Sequence, residues 1–149
     1  MSNKPDISAE PPVGLTFREK SLWVTLVSTL AIYAYYFVRV LQIGEGDPAH
    51  VGAVFVATVI IMVVTQAVVH AALAIHKRPE RTDERDVRIA LVSTRNAYYV
   101  LAAGVWCALS ICAMPVSAFW VAHAGLLALV VAEVVRCATQ LVLYRRGIA

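Results

Sequence analysis

Residues 51–75 read VGAVFVATVIIMVVTQAVVHAALAI, a run without a single Asp, Glu, Lys or Arg. A bilayer's hydrocarbon core is about 30 Å thick and a helix rises about 1.5 Å per residue, so about 20 consecutive apolar residues suffice to cross it. Apolar runs in soluble cores are shorter, about 10–14 residues. This stretch therefore reads as a transmembrane helix, and it sets the medium in which the rest of the chain is read.

Three further apolar segments flank it, at 21–42, 97–114 and 117–143. The composition agrees: 60% of the 149 residues are hydrophobic, 15% are charged and the mean hydropathy is +0.70. Soluble domains are about 45–50% apolar and about 25% charged. A nucleic-acid-binding domain, a disordered chain and a soluble enzyme are excluded on these grounds. The expected fold is all-α, an integral membrane four-helix bundle in a single domain over residues 16–149. Residues 1–15, with Lys4-Pro5-Asp6 and Glu10-Pro11-Pro12, read as a disordered tail.

The connections are short except one. Gly44-Glu45-Gly46-Asp47-Pro48 is a turn composition that no helix continues through, and Pro115 ends the third segment in a tight hairpin. The connector 76–96 is the one long link. Cations in short loops mark the cytoplasmic side. Lys4, Arg18 and Lys20 precede the first span; Lys77, Arg78, Arg81, Arg85, Arg88 and Arg95 lie in the connector; Arg145 and Arg146 end the chain. The small net charge of +3 thus hides a segregation of cations to one side. Both termini are expected in the cytoplasm, with the first span acting as an uncleaved signal anchor and the bacterial inner membrane as the location. Thr16-Phe17-Arg18-Glu19 matches a capping box that starts the first helix ahead of the membrane.

Charge is densest at Arg81-Thr82-Asp83-Glu84-Arg85-Asp86-Val87-Arg88. Thr82 or Asp83 is suited to cap a helix with acids in its first turn, and Val87, Ala90, Leu91, Thr94 and Tyr98 share one face. The segment is expected to form an amphipathic helix lying on the inner leaflet or running directly into the third span. Asp83, Glu84, Arg85, Asp86, Arg88 and Arg95 form a candidate docking surface. Such a face also arises as a solvated cap whose arginines serve topology alone. Mixed charge suits a protein partner or a second copy better than a simple polybasic lipid contact does.

Polar groups within spans are costly and need a partner or a purpose. The last segment carries Glu133, Arg136 and Gln140, the second Gln66 and His70. Counting residues from the inner boundary puts the two sets at similar depths, so a network of Gln66, His70, Glu133, Arg136 and Gln140, joined by Thr25, Ser28 and Thr29, is expected. It reads either as helix-to-helix glue or as a proton or cation pathway through Glu133 and His70. A b-type haem is a further alternative, with His50 and His123 loosely matched in depth. Cys107, Cys112 and Cys137 form neither a disulfide framework nor a zinc site, and no enzyme motif occurs. No cofactor is expected.

Ala124, Ala128 and Ala132, and Gly104 with Ala108, repeat at four-residue spacing, which lets helix backbones approach closely. Tyr36 and Arg39 are placed to reach Glu45 or Asp47.

Phe17-Arg18-Glu19-Lys20-Ser21-Leu22-Trp23, the central Asp83-Glu84-Arg85-Asp86, and Arg95-Asn96-Ala97-Tyr98-Tyr99 together resemble a group of small, uncharacterised four-span proteins of bacterial inner membranes. The resemblance implies a fold and a location and carries no chemistry onto these residues. The expected function is non-enzymatic: the cytoplasmic face docks a partner, or a second copy to form a homodimer, with the lipid bilayer as the surrounding contact.

Overall fold

The computed structural model describes residues 17–75 and 83–146. The tail at 1–15, Thr16 of the first capping box, connector residues 76–82 and residues 147–149 lie outside them. The described chain is all-α, with four long helices: α1 (Phe17–Ile43), α2 (Pro48–Ile75), α3 (Glu84–Ile111) and α4 (Ala118–Arg146). Three of them, α1, α2 and α4, are long and apolar enough to cross a membrane.

The turns follow from local chemistry. A single 3₁₀ turn, Gly44–Gly46, joins α1 to α2, and Gly44 takes φ +66°, a left-handed conformation that costs glycine nothing. Asp47 then caps α2: its carboxylate accepts from the His50 N–H at 3.0 Å, and Pro48 occupies the first helical position, where a missing N–H goes unnoticed. Asp83 caps α3 in a reciprocal box with Asp86. The amphipathic segment after Asp83 therefore runs straight into the third apolar stretch as one helix.

That third helix differs from the span expected at 97–114. It ends at Ile111, and residues 112–117 form the turn to α4. Its apolar part, Ala97–Ile111, is only about 22 Å long and contains Tyr98, Tyr99, Gly104 and Ser110. This is why α3 falls short of the other three in apolarity.

The helices pack in the spatial order α2, α1, α4, α3. Leu26 of α1 meets Cys137 and Leu141 of α4, and Tyr36 and Val40 of α1 meet Val51 of α2. The tightest approach is between α3 and α4. A Cβ added at Gly104 would lie 2.5 Å from the Ala128 Cβ and 3.3 Å from its Cα, so the two backbones meet where glycine and alanine allow it. Ala108, Ala128 and Ala132 are buried along the same contact zone.

Burial runs opposite to a soluble domain. Thr25, Thr29, Thr58 and Ser93 are buried, while Leu41, Ile60, Val63, Val68 and Trp106 project outward, Trp106 with 72% of its surface exposed. So much outward apolar surface requires an apolar covering.

Candidate functional site

One end of the molecule gathers the charges. There the start of α3 is fastened to the end of α4: the Tyr144 hydroxyl donates to the Asp86 carboxylate at 3.0 Å, and the Gln140 amide donates to the Ser93 hydroxyl at 3.0 Å. The start of α1 joins the same end through Arg145, whose Nε lies 3.9 Å from a Glu19 carboxylate oxygen and whose guanidinium sits 5.8 Å from the Trp23 ring centre. Asp86 thus does two jobs, closing its own helix cap and holding α4. The Asp83 box satisfies N–H groups that the first turn leaves open.

Of the six residues expected to form a docking surface, Asp83, Glu84, Arg88 and Arg95 are exposed. Asp86 is taken up by Tyr144, and Arg85 is partly buried with its Nε unpartnered. Val87 and Leu91, 51% and 66% exposed, line a shallow groove with Thr94, Gln140 and Tyr144. Cationic and apolar side chains therefore alternate on a helix held at its base. Asp83→Ala is expected to speed amide exchange in the first two turns of α3 by the equivalent of about 1 kcal/mol, read by hydrogen-exchange mass spectrometry. Unchanged protection would show that Tyr144 alone holds the helix start.

The expected intramembrane network is assembled only in part. Arg136 donates to both carboxylate oxygens of Glu133, through Nε at 2.9 Å and through its terminal nitrogen, and the Cys137 thiol lies 3.8 Å from the same carboxylate. Gln140 turns to Ser93. Gln66 reaches only the Met62 sulfur, at 4.0 Å, and its buried Oε1 has no partner; His70 is exposed. Among the described residues, no hydrogen bond or ion pair links Gln66 or His70 to Glu133 or Arg136. The reason is packing: α2 lies against α1 and hardly touches α4, so equal depth does not become contact.

At the other end, Tyr36 does not reach toward Glu45 or Asp47. It turns inward, 2% exposed, to place its hydroxyl 3.0 Å from His123 Nε2, with the two rings stacked. His123 Nδ1 lies 2.6 Å from the Phe119 carbonyl. Arg39 donates to Gln42, Glu45 accepts from the Ser117 hydroxyl at 2.7 Å, and Asp47 caps α2. The Tyr36 and His123 couple escapes sequence reading because neither residue has a local partner pattern. It lines an apolar groove of about 710 Å³ between α2 and α3. His50 lies at the surface, its Nδ1 3.8 Å from an Asp47 carboxylate oxygen. Among the described residues, no group of three or more His, Cys, Asp or Glu is placed to hold a metal ion.

No family model, curated protein or solved structure matches this chain.

Proposed function

We propose that the chain is a four-span protein of the bacterial inner membrane, with both termini cytoplasmic, that acts without catalysis by docking a protein partner or a second copy through the charged start of α3. The observation that carries this reading is the fastening of that segment. Residues Glu84 to Arg95 continue the third helix without a break and are tied to α4 by Tyr144 and Gln140. A segment serving topology alone needs only its charges. This one also has a held geometry, with Arg88, Arg95, Val87 and Leu91 presented outward.

Other observations support the membrane placement. The outward faces of α1, α2 and α4 are apolar, and most of the described cations cluster at the end where α1 and α3 begin and α4 finishes, as cytoplasmic loops require, with Arg39 near the far end of α1 and Arg136 within α4. The antiparallel pairing of α3 with α4, closed at the far end by the turn at 112–117, supports a fourth crossing despite the lower hydropathy of α3. A proton or cation pathway through Glu133 and His70 gains no such support, since Arg136 occupies the carboxylate and His70 lies elsewhere.

Crosslinking in native membranes tests the docking role. The double variant Arg88→Glu, Arg95→Glu is expected to lose crosslinks, to a second copy or to another protein, that the parent chain forms through α3. An identical crosslink pattern in parent and variant would reduce these arginines to topology.

A further inference from the structure

We propose that the groove between α2 and α3 binds a long-chain alcohol dissolved in the membrane, with the alcohol's hydroxyl donating to the Tyr36 oxygen. The inference rests on the membrane placement above and is independent of the docking role, since the groove lies at the opposite end from Arg88.

The site has the makeup of a small-ligand pocket: apolar walls with few polar groups and a volume of about 710 Å³, inside the roughly 300–1,000 Å³ typical of such sites. Val51 and Phe55 form one wall, Leu101 and Val105 the facing one, and Leu126 and Leu129 the floor. The groove is open along one side and lined almost wholly by apolar side chains, so an extended hydrocarbon chain lies readily between the walls.

The polar couple selects the headgroup. The Phe119 carbonyl can only accept, so His123 Nδ1 carries the proton facing it at 2.6 Å. In the neutral ring Nε2 is then an acceptor, and the Tyr36 hydroxyl donates to it at 3.0 Å. That spends the only proton Tyr36 has. Tyr36 lines the groove with the 2% of its surface left exposed, and the hydrogen-bonding capacity still unused in the couple is the remaining lone pair on its oxygen, an acceptor that suits a hydroxyl and not a ketone or ester.

Two glycines keep the space open. A Cβ at Gly52 or Gly125 meets nothing within 4 Å, unlike one at Gly104. Both line the groove, and helix-interior glycine is otherwise unfavourable relative to alanine. Larger side chains there occupy the groove without disturbing helix packing.

The test uses the full chain in lipid nanodiscs and hexadecanol bearing a mid-chain diazirine, with crosslinks mapped by mass spectrometry. Labelling is expected on the segments containing Phe55, Leu101 and Leu129. Unlabelled hexadecanol should compete better than its methyl ether by roughly fivefold, the size of one hydrogen bond. Tyr36→Phe combined with His123→Phe, which removes the Tyr36 oxygen and also the Nε2 acceptor that loss of the hydroxyl would free, should erase that preference while leaving chain capture intact. Gly125→Leu and, as an independent variant, Gly52→Leu should abolish groove labelling with helicity unchanged. Labelling spread evenly over the outward faces of α2, or undiminished in both leucine variants, overturns the site. Equal competition by alcohol and ether overturns the headgroup assignment. Arg88→Glu with Arg95→Glu should leave labelling unchanged, so failure of the docking role and failure of the groove are read separately.

Discussion

Gly104→Leu is expected to destabilise the full chain in detergent by about 3 kcal/mol, the upper end for overpacked interiors. The cost comes from what the new side chain meets. Its Cβ would stand 2.5 Å from the Ala128 Cβ and 3.3 Å from the Ala128 Cα, and a backbone atom has no rotamer through which to withdraw. Relief requires α3 to move away from α4, which strips contacts from the buried Ala108, Ala128 and Ala132 and lengthens the bond between Ser93 and Gln140. A swap isolates the cause. Gly104→Ala alone should destabilise, and adding Ala128→Gly should recover most of the loss, because it removes the 2.5 Å collision and leaves only the tighter approach to Cα. Equal instability in the single and double variants would acquit the Ala128 Cβ and place the fault in the backbone approach at its Cα, since helix propensity favours alanine and the double variant has the parent's one alanine and one glycine. Denaturant titrations of the four proteins decide between these.

The Gly104 contact was legible in the sequence in outline only. Small residues at four-residue spacing mark surfaces where helices are able to close up, and Gly104 with Ala128 does so; the spacing could not say which copy of the motif faces which. Turn chemistry was more legible, because Gly44, Asp47, Pro48 and Asp83 act on their own neighbours: each terminates or starts the helix expected of it. The same locality explains how Glu133 and Arg136, one turn apart, come together. Across helices the reading was weaker. Depth along a helix follows from counting, but the angle at which a face points depends on which neighbours the helix packs against. Gln66 and His70 matched Glu133 and Arg136 in depth and still do not meet them, because α2 lies on α1. For the same reason Tyr36 meets His123, eighty-seven positions along the chain, where local reach pointed to Glu45.

Glu133→Ala is expected to carry the second large effect, because it leaves Arg136 in the last helix with no carboxylate to bind. Arg136 now gives two hydrogen bonds to Glu133, and both side chains keep 36% of their surface open to the helix exterior. In water such a partly open pair contributes little. In the proposed bilayer the exterior is hydrocarbon, and an unpaired arginine deep in a span costs about 2.5–3.5 kcal/mol on insertion scales. The size of the loss therefore reports the surroundings as well as the pair: a loss under about 1 kcal/mol in nanodiscs would mean that water reaches Arg136. Glu133→Gln keeps an acceptor but no charge, and should fall between the parent and Glu133→Ala. The double variant Glu133→Leu, Arg136→Leu removes both charges together and should be close to the parent in stability, since apolar replacement of a desolvated ion pair is often neutral or stabilising. That variant also separates structure from function at this position. If it inserts, folds and still makes the crosslinks of the parent chain through α3, the pair serves helix packing alone. If it folds and loses them, the charges do more than neutralise each other, and their influence extends along α4 to the proposed docking end, where Gln140 holds Ser93 of α3.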